Sequence, residues 1–147
     1  MNTSSTNDAN HSLQAHDVSY RYGKEDILSG LSVAIPRGKI TALIGPNGSG
    51  KSTLLKNLAR VLSPTRGRVM LDGQNIHQTS SKAIARQIAL LPQGPQTPDE
   101  LTVETLVGYG RYPYKSTFSS LNREDRQIIN EAIEATGLSD FAACNIN

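Results

Sequence analysis

The stretch GPNGSGKST, Gly45 to Thr53, sets three glycines, one lysine and three hydroxyl side chains between an apolar run and a helix-patterned one. From Gly45 to Ser52 its spacing fits G-x-x-x-x-G-K-[ST]. A phosphate chain needs several converging backbone N–H donors, and glycines adopt the dihedrals that turn those donors inward. Gly45, Pro46, Asn47, Gly48, Ser49 and Gly50 form that cradle. The helix opening at Gly50 adds unpaired first-turn N–H groups and the positive end of its dipole. In that frame Lys51 places a charge between the β- and γ-phosphates, Ser52 offers a hydroxyl to Mg2+, and Thr53 bonds a phosphate oxygen. The plainer alternative is a Gly-rich turn joining strand to helix. The motif and its context together favour a bound nucleotide.

Outward from the loop, KITALIG (39–45) predicts a short apolar strand entering it. KSTLLKNLARVL (51–62) predicts a helix with Leu54, Leu55, Leu58, Val61 and Leu62 on one face, closed by the Pro and Gly of SPTRG. Upstream, the alternation of LQAHDVSYRY (13–22), a turn at GKED and ILSGLSVAIP (27–36) predict antiparallel strands. Downstream, RVMLDGQNI (68–76) carries an Asp72-Gly73 hairpin signal. SSKAIARQIA (80–89) reads as a helix running into a strand, IALLPQ (88–93). GPQTPDELT (94–102) reads as a surface loop, VETLVGYGR (103–111) as a short helix broken by glycines, and STFSS (116–120) as irregular. NREDRQIINEAIEATG (122–137) is the clearest helix. Asn122 suits its N-cap, acids fill the first turn, Ile129 and Ile133 share a face, and Gly137 suits the residue just past the end.

Fifteen basic against thirteen acidic residues leave a net charge of +2, too small and too dispersed to argue for nucleic acid. The lone Cys144 excludes an internal disulfide and any multi-thiolate metal site, and reads as inert, since no base is identifiable near it. His11, His16 and His77 lack metal-ligand spacing. The polar opening, residues 1–12, reads as a disordered leader ahead of a domain over 13–147. No run approaches the roughly 18 apolar residues that span a bilayer. The chain therefore reads as soluble and cytosolic, with any membrane role exercised through a partner.

The inner residues PNGSG and the following KSTLL resemble the phosphate loop of ABC transporter ATPases. VSYRYG resembles that family's adenine-stacking loop, with Tyr22 rather than Tyr20 at the stacking position. An aromatic face stacks on a purine without a base-specific pocket. The other reading is a tyrosine packed on the sheet. LLPQ resembles the family's Q-loop, in which Gln93 would reach Mg2+ and the attacking water. ITALIGPNGSGKSTLL, ARQIALLPQ, LTVETLVGYGRYPY and NREDRQIINEAIEATGLSDFA together resemble the ATPase subunits of ferric siderophore importers, with haem and cobalamin importers as close relatives. GRYPY (110–114) is the telling segment; its plain reading is a solvated turn whose Arg111 caps a helix.

The resemblance implies an α/β fold: the N-terminal half of a P-loop NTPase, RecA-like core, with an antiparallel β subdomain and the start of a helical subdomain. It implies ATP and Mg2+, with Lys51 and Gln93 catalytic and Ser52 and Gln93 on the metal. The implied partners are transmembrane permease subunits, a second ATPase subunit in a homodimer, and indirectly a periplasmic or lipoprotein substrate-binding protein. The implied place is peripheral, on the cytoplasmic face of the cell membrane. No signature run, acidic strand end or switch histidine occurs by Asn147, so the chain reads as the N-terminal portion of such a subunit, expected to hydrolyse little ATP alone. Two other readings stand beside it: a non-catalytic nucleotide-binding module, and a soluble ABC protein of translation or DNA repair.

Overall fold

A computed structural model describes residues 11–92, 94, 100–116 and 119–146, which fall into two compact units, Met1–Ser80 and Ser81–Asn147. In the first, β1 (His11–Tyr22), β2 (Glu25–Pro36), β3 (Arg66–Leu71) and β4 (Gln74–Asn75) form an antiparallel sheet in the order β2-β1-β3-β4. The β1–β2 hairpin turns at Gly23, whose φ is 60°. The β3–β4 hairpin turns where the sequence signals it, with Asp72 at φ 47° and Gly73 at φ 77°. Two successive positive φ values give the turn whose twist matches the flanking strands.

β1 is not one regular strand. Its inward residues run Leu13, Ala15 and then Val18, because Asp17 (φ 49°) inserts one extra residue. Across from this bulge β1 pairs His16 with Arg68 and Ser19 with Arg66, leaving Gly67 alone opposite Asp17 and Val18. The strand period is two, so one inserted residue reverses which side chains face inward beyond it. Ala15 and Val18 are thereby both buried, with Val69 and Leu71 of β3 and Leu28 of β2.

The helix α1 (Lys51–Leu58) lies over β1 and β2. It is shorter than the sequence suggests. Arg60 turns left-handed (φ 61°), and the Arg60 and Val61 N–H groups donate to the carbonyls of Asn57 (3.1 Å) and Lys56 (2.8 Å). That is a helix stop of the kind usually built on glycine. Leu54 and Leu58, one turn apart, are buried, whereas Leu55 and Val61 are exposed, so the apolar face is narrower than expected. Burying each of those two leucines contributes about 2 kcal/mol.

Two expected strands are not formed. Residues 40–46 and 88–92 carry no strand pairing among the described residues, and Ile40, Ile44 and Leu91 are exposed. A run apolar throughout suits a strand covered on both faces, yet it becomes a strand only through a neighbour's N–H and C=O groups.

In the second unit, α2 (Ser81–Ala85) is a five-residue helix, half the expected length, anchored by buried Ile84. The helix α3 (Val103–Tyr109) is capped by Thr102, whose hydroxyl accepts from the Thr105 N–H, and it contains Gly108 without breaking. A 3-10 turn, Tyr112–Tyr114, follows. The helix α4 (Arg123–Ala135) packs on α3 through Ile129 and Ile133. Asn122 and Asp125 form a reciprocal capping box at its start. At its end, the N–H groups of Gly137 (φ 70°) and Leu138 donate to Glu134 and Ile133. Residues 142–146 hydrogen-bond back to 101–104, with Ile146 N–H on the Leu101 carbonyl at 2.9 Å. Most of the expected loop 94–102, and residues 117 and 118 of STFSS, lie outside the described residues. Among the described residues no helix is long and apolar enough to cross a membrane.

Two of the positive-φ glycines, Gly67 and Gly137, separate two costs. At Gly137 (φ 70°) an added Cβ meets nothing, so Gly137→Ala is expected to cost about 1 kcal/mol of backbone strain. At Gly67 (φ 81°) the same atom runs into the backbone carbonyls of His16 and Asp17, so Gly67→Ala should cost roughly 3 kcal/mol or more. Urea unfolding of the two variants checks both the order and the gap.

Candidate functional site

The Gly-rich loop leaves an extended segment and closes on itself, the Ser49 N–H donating to the Pro46 carbonyl at 3.3 Å. Gly48 (φ 81°) and Gly50 (φ 84°, ψ 5°) take left-handed conformations, and Gly50 caps α1 with no side chain of its own. Helix geometry leaves the first N–H groups of α1 without intrahelical acceptors, so they point out of the helix end toward the loop. Gly50 also sits hard against β2. A Cβ there would lie 2.9 Å from Leu28 Cδ2 and 3.1 Å from the Ile27 carbonyl oxygen.

Lys51 projects back over this loop. Its Nζ donates to the carbonyl oxygens of Gly45 (2.8 Å) and Pro46 (2.6 Å), with Ser49 Oγ at 3.4 Å. Phosphate oxygens are acceptors of the same kind carrying full charge, so they compete for this ammonium with advantage. Ser52 is exposed on the first turn of α1. Thr53 is buried at 8% exposure, and its carbonyl accepts from Asn57 Nδ2 at 2.8 Å. A cavity of about 280 Å3 lies beside the loop, lined by Gly45, Pro46, Ser49 and Lys51 together with Leu28 and Leu54. A larger one of about 680 Å3 lies between Ser19, Arg21, Asp26 and Arg66. Size does not decide between them. In the larger cavity Arg21 and Asp26 already satisfy each other as a two-bonded ion pair, whereas the smaller one lies beside the Lys51 ammonium and the start of α1, whose first N–H groups have no intrahelical acceptors.

Tyr22 closes β1 just before the hairpin turn and is 48% exposed, so its ring is accessible to a planar ligand. The Tyr20 ring meets it edge to face, with centroids 5.0 Å apart and planes at 76°. Gln93 lies outside the described residues; the chain before it, Leu91 and Pro92, is exposed and unpaired in any sheet. His16 Nε2 lies 3.0 Å from Gln14 Oε1, and His77 Nδ1 lies 3.3 Å from Ser63 Oγ. Burial, and then the nearby Arg60 charge, lowers the His77 pKa. Cys144 is exposed, and its carbonyl accepts from the Val103 N–H at 3.1 Å. Among the described residues no cluster of three or more His, Cys, Asp or Glu side chains could hold a metal ion.

GRYPY is largely exposed, yet its polar groups and one of its rings are tied down. Arg111 Nε donates to the buried Asp125 carboxylate at 2.8 Å, and the Arg111 guanidinium lies 4.3 Å from the Tyr114 ring centroid. Arg86 donates to the Pro113 carbonyl through Nε (3.1 Å) and Nη2 (2.9 Å), with its own guanidinium 5.0 Å from the Tyr114 centroid. Lys82 Nζ donates to the Lys115 carbonyl at 2.6 Å. Cations thus tie down both the carbonyls and the aromatic ring of this turn. Tyr109, Tyr112 and Tyr114 remain substantially exposed around it. The Arg111–Asp125 pair spans fourteen residues and follows no helical or strand period, so the sequence offers only the acid at the third position of α4 as a hint.

A family profile described as "ABC transporter" matches residues 28–147. The chain is 48% identical over 132 residues to the iron(3+)-hydroxamate import ATP-binding protein FhuC of Bacillus subtilis (strain 168), covering 90% of this chain and 49% of that one. It is 44% identical over 130 residues to the ferric enterobactin transport ATP-binding protein FepC of Escherichia coli (strain K12), covering 88% and 48%. It thus spans about half the length of these curated relatives. Among solved structures, a nucleotide-free ATP-binding cassette from an ABC transporter superposes with a TM-score of 0.71 at 25% identity, covering 91% of this chain and 57% of that one. These likenesses agree with an ABC ATPase fold in which a P-loop core carries an antiparallel β subdomain.

The Arg111 guanidinium, and after it the Asn122 backbone N–H, hold the Asp125 carboxyl below the usual carboxylate range. Its folded pKa lies below its unfolded one. The pair therefore stabilises the fold above about pH 4 and ceases to as pH falls through the lower folded value. Asp125→Asn is expected to lower stability at pH 7 and to flatten the acid side of the stability–pH curve, as read by chemical denaturation from pH 7 down to 2.

Proposed function

The chain belongs to the ABC transporter family, and on that premise we propose that it grips the nucleotide in an ATP-binding subunit powering import of a ferric chelate through a membrane permease. The observation that carries nucleotide binding is Lys51 Nζ, held across the mouth of the Gly-rich loop by the carbonyls of Gly45 and Pro46. The ferric chelate as cargo rests on the relatives, whose names specify iron(3+)-hydroxamate import and ferric enterobactin transport. Permease subunits, a second ATPase subunit and an indirectly coupled substrate-binding protein are the partners of this reading. Its place is the cytoplasmic face of the cell membrane, held there by the permease.

Each residue has a distinct task. Gly48 and Gly50, in left-handed conformations that residues with a Cβ rarely adopt, let the loop from Gly45 to Gly50 turn backbone N–H groups toward the phosphates. Lys51 exchanges two carbonyls of its own loop for phosphate oxygens, so binding costs no unpaired ammonium at either end. Ser52 on the open face of α1, with Gln93, would hold Mg2+, which when bound neutralises charge between the β- and γ-phosphates. Thr53 faces inward, and within this reading it fixes the first turn of α1 as well as bonding phosphate. Tyr22 takes the adenine ring on its exposed face.

Lys51→Ala is expected to weaken ATP binding by about 100-fold or more, since a charge-assisted contact to phosphate is lost. In cells dependent on a ferric hydroxamate, the same substitution in the genomic copy should reduce uptake of radiolabelled iron to background. Uptake at the wild-type rate would refute the proposal.

A further inference from the structure

The adenine-stacking reading assigns Tyr22 a ring exposed at the end of a hairpin, and an exposed ring on a strand tip has two faces and a free χ1. The structure supplies a restraint. Tyr20 lies two residues earlier on the same side of β1, and its ring meets Tyr22 at 76° with centroids 5.0 Å apart. In this edge-to-face arrangement the positive rim of one ring meets the negative face of the other. Tyr20 is itself braced. It is half-buried, and in the sheet it pairs with Leu28, which is 5% exposed and also touches the Gly50 position of the phosphate loop. On the opposite side of the strand, the Arg21–Asp26 ion pair ties β1 to β2 two residues from the turn, with Nη2 and Oδ2 at 3.0 Å. The hairpin tip is thereby held while Tyr22 remains open.

We propose that Tyr20 is a positioning residue for the nucleobase, fixing the Tyr22 ring for stacking without touching the ligand itself. This rests on Tyr22 being the stacking residue. A fixed ring loses less conformational freedom when the base arrives, so Tyr20 contributes to affinity for the base and nothing to affinity for the phosphates. A Tyr20 serving only the core would act differently: its loss would disturb the sheet and the loop seated on Leu28 together.

The test compares ATP with inorganic tripolyphosphate, which lacks the base, by calorimetric titration of the full chain. Tyr20→Leu is expected to weaken ATP about 2- to 10-fold while leaving tripolyphosphate within about twofold, and Tyr20→Phe, which keeps the ring, should bind both like the parent. If Tyr20→Leu does not fold, the β-branched Tyr20→Ile carries the same comparison. In a Tyr22→Ala background Tyr20→Leu should add nothing. Equal loss of both ligands, no loss of ATP, or a full additional loss in the Tyr22→Ala background would each overturn the proposal. Failure of the stacking reading itself looks different: Tyr22→Ala alone would then leave ATP affinity unchanged, and both assignments would fall.

Discussion

The functional geometry of the first unit depends on one close approach. Gly50 meets β2 so tightly that only hydrogen fits between its Cα and the Ile27–Leu28 segment. That contact fixes where α1 starts, because Gly50 is also its left-handed cap. It fixes Lys51, the next residue, and through it the reach of the ammonium over Gly45 and Pro46. The same Leu28 backs Tyr20 in the sheet register. Phosphate loop and aromatic hairpin therefore share one support, and a shift of β2 would move both.

Much of this was legible beforehand because it is locally encoded. The phosphate loop, the Asp72-Gly73 turn and the ends of α4 are each written in residues no more than a few positions apart. Their conformations follow from dihedral preference and short-range hydrogen bonding. What escaped was non-local or contrary to propensity. Arg60 stops α1 in a conformation glycine would usually supply, and no breaker marks the place. The runs at 40–46 and 88–92 have the composition of covered strands, but strand formation is decided by the neighbour and not by the run itself. The Arg111–Asp125 pair joins residues that only the packing of α3 on α4 brings together.

In the second unit the charges act as ties more than as a surface field. Arg86 ends on a carbonyl of the 3-10 turn, Lys82 on that of Lys115 just after it, and Arg111 on a carboxylate of α4. The exposed tyrosines beside them are consequently presented on a fixed turn. Asp125 serves two clients at once, closing the helix cap through Asn122 and anchoring Arg111, so the start of α4 and the GRYPY segment hold or loosen together.

The bulge at Asp17 bears on how this sheet can change. Upstream of it β1 sends odd-numbered side chains inward, and downstream even-numbered ones. A single-residue insertion or deletion within β1 would invert that parity for everything up to the next turn, sending Tyr20 and Tyr22 to the far side while Arg21 faced the core. Pairs of compensating changes, one on each side of Asp17, would leave the tyrosines in place. The strand is thus tolerant of lengthening by twos and intolerant of lengthening by ones, and Gly67, the partner that makes room for the odd residue, sets the phase.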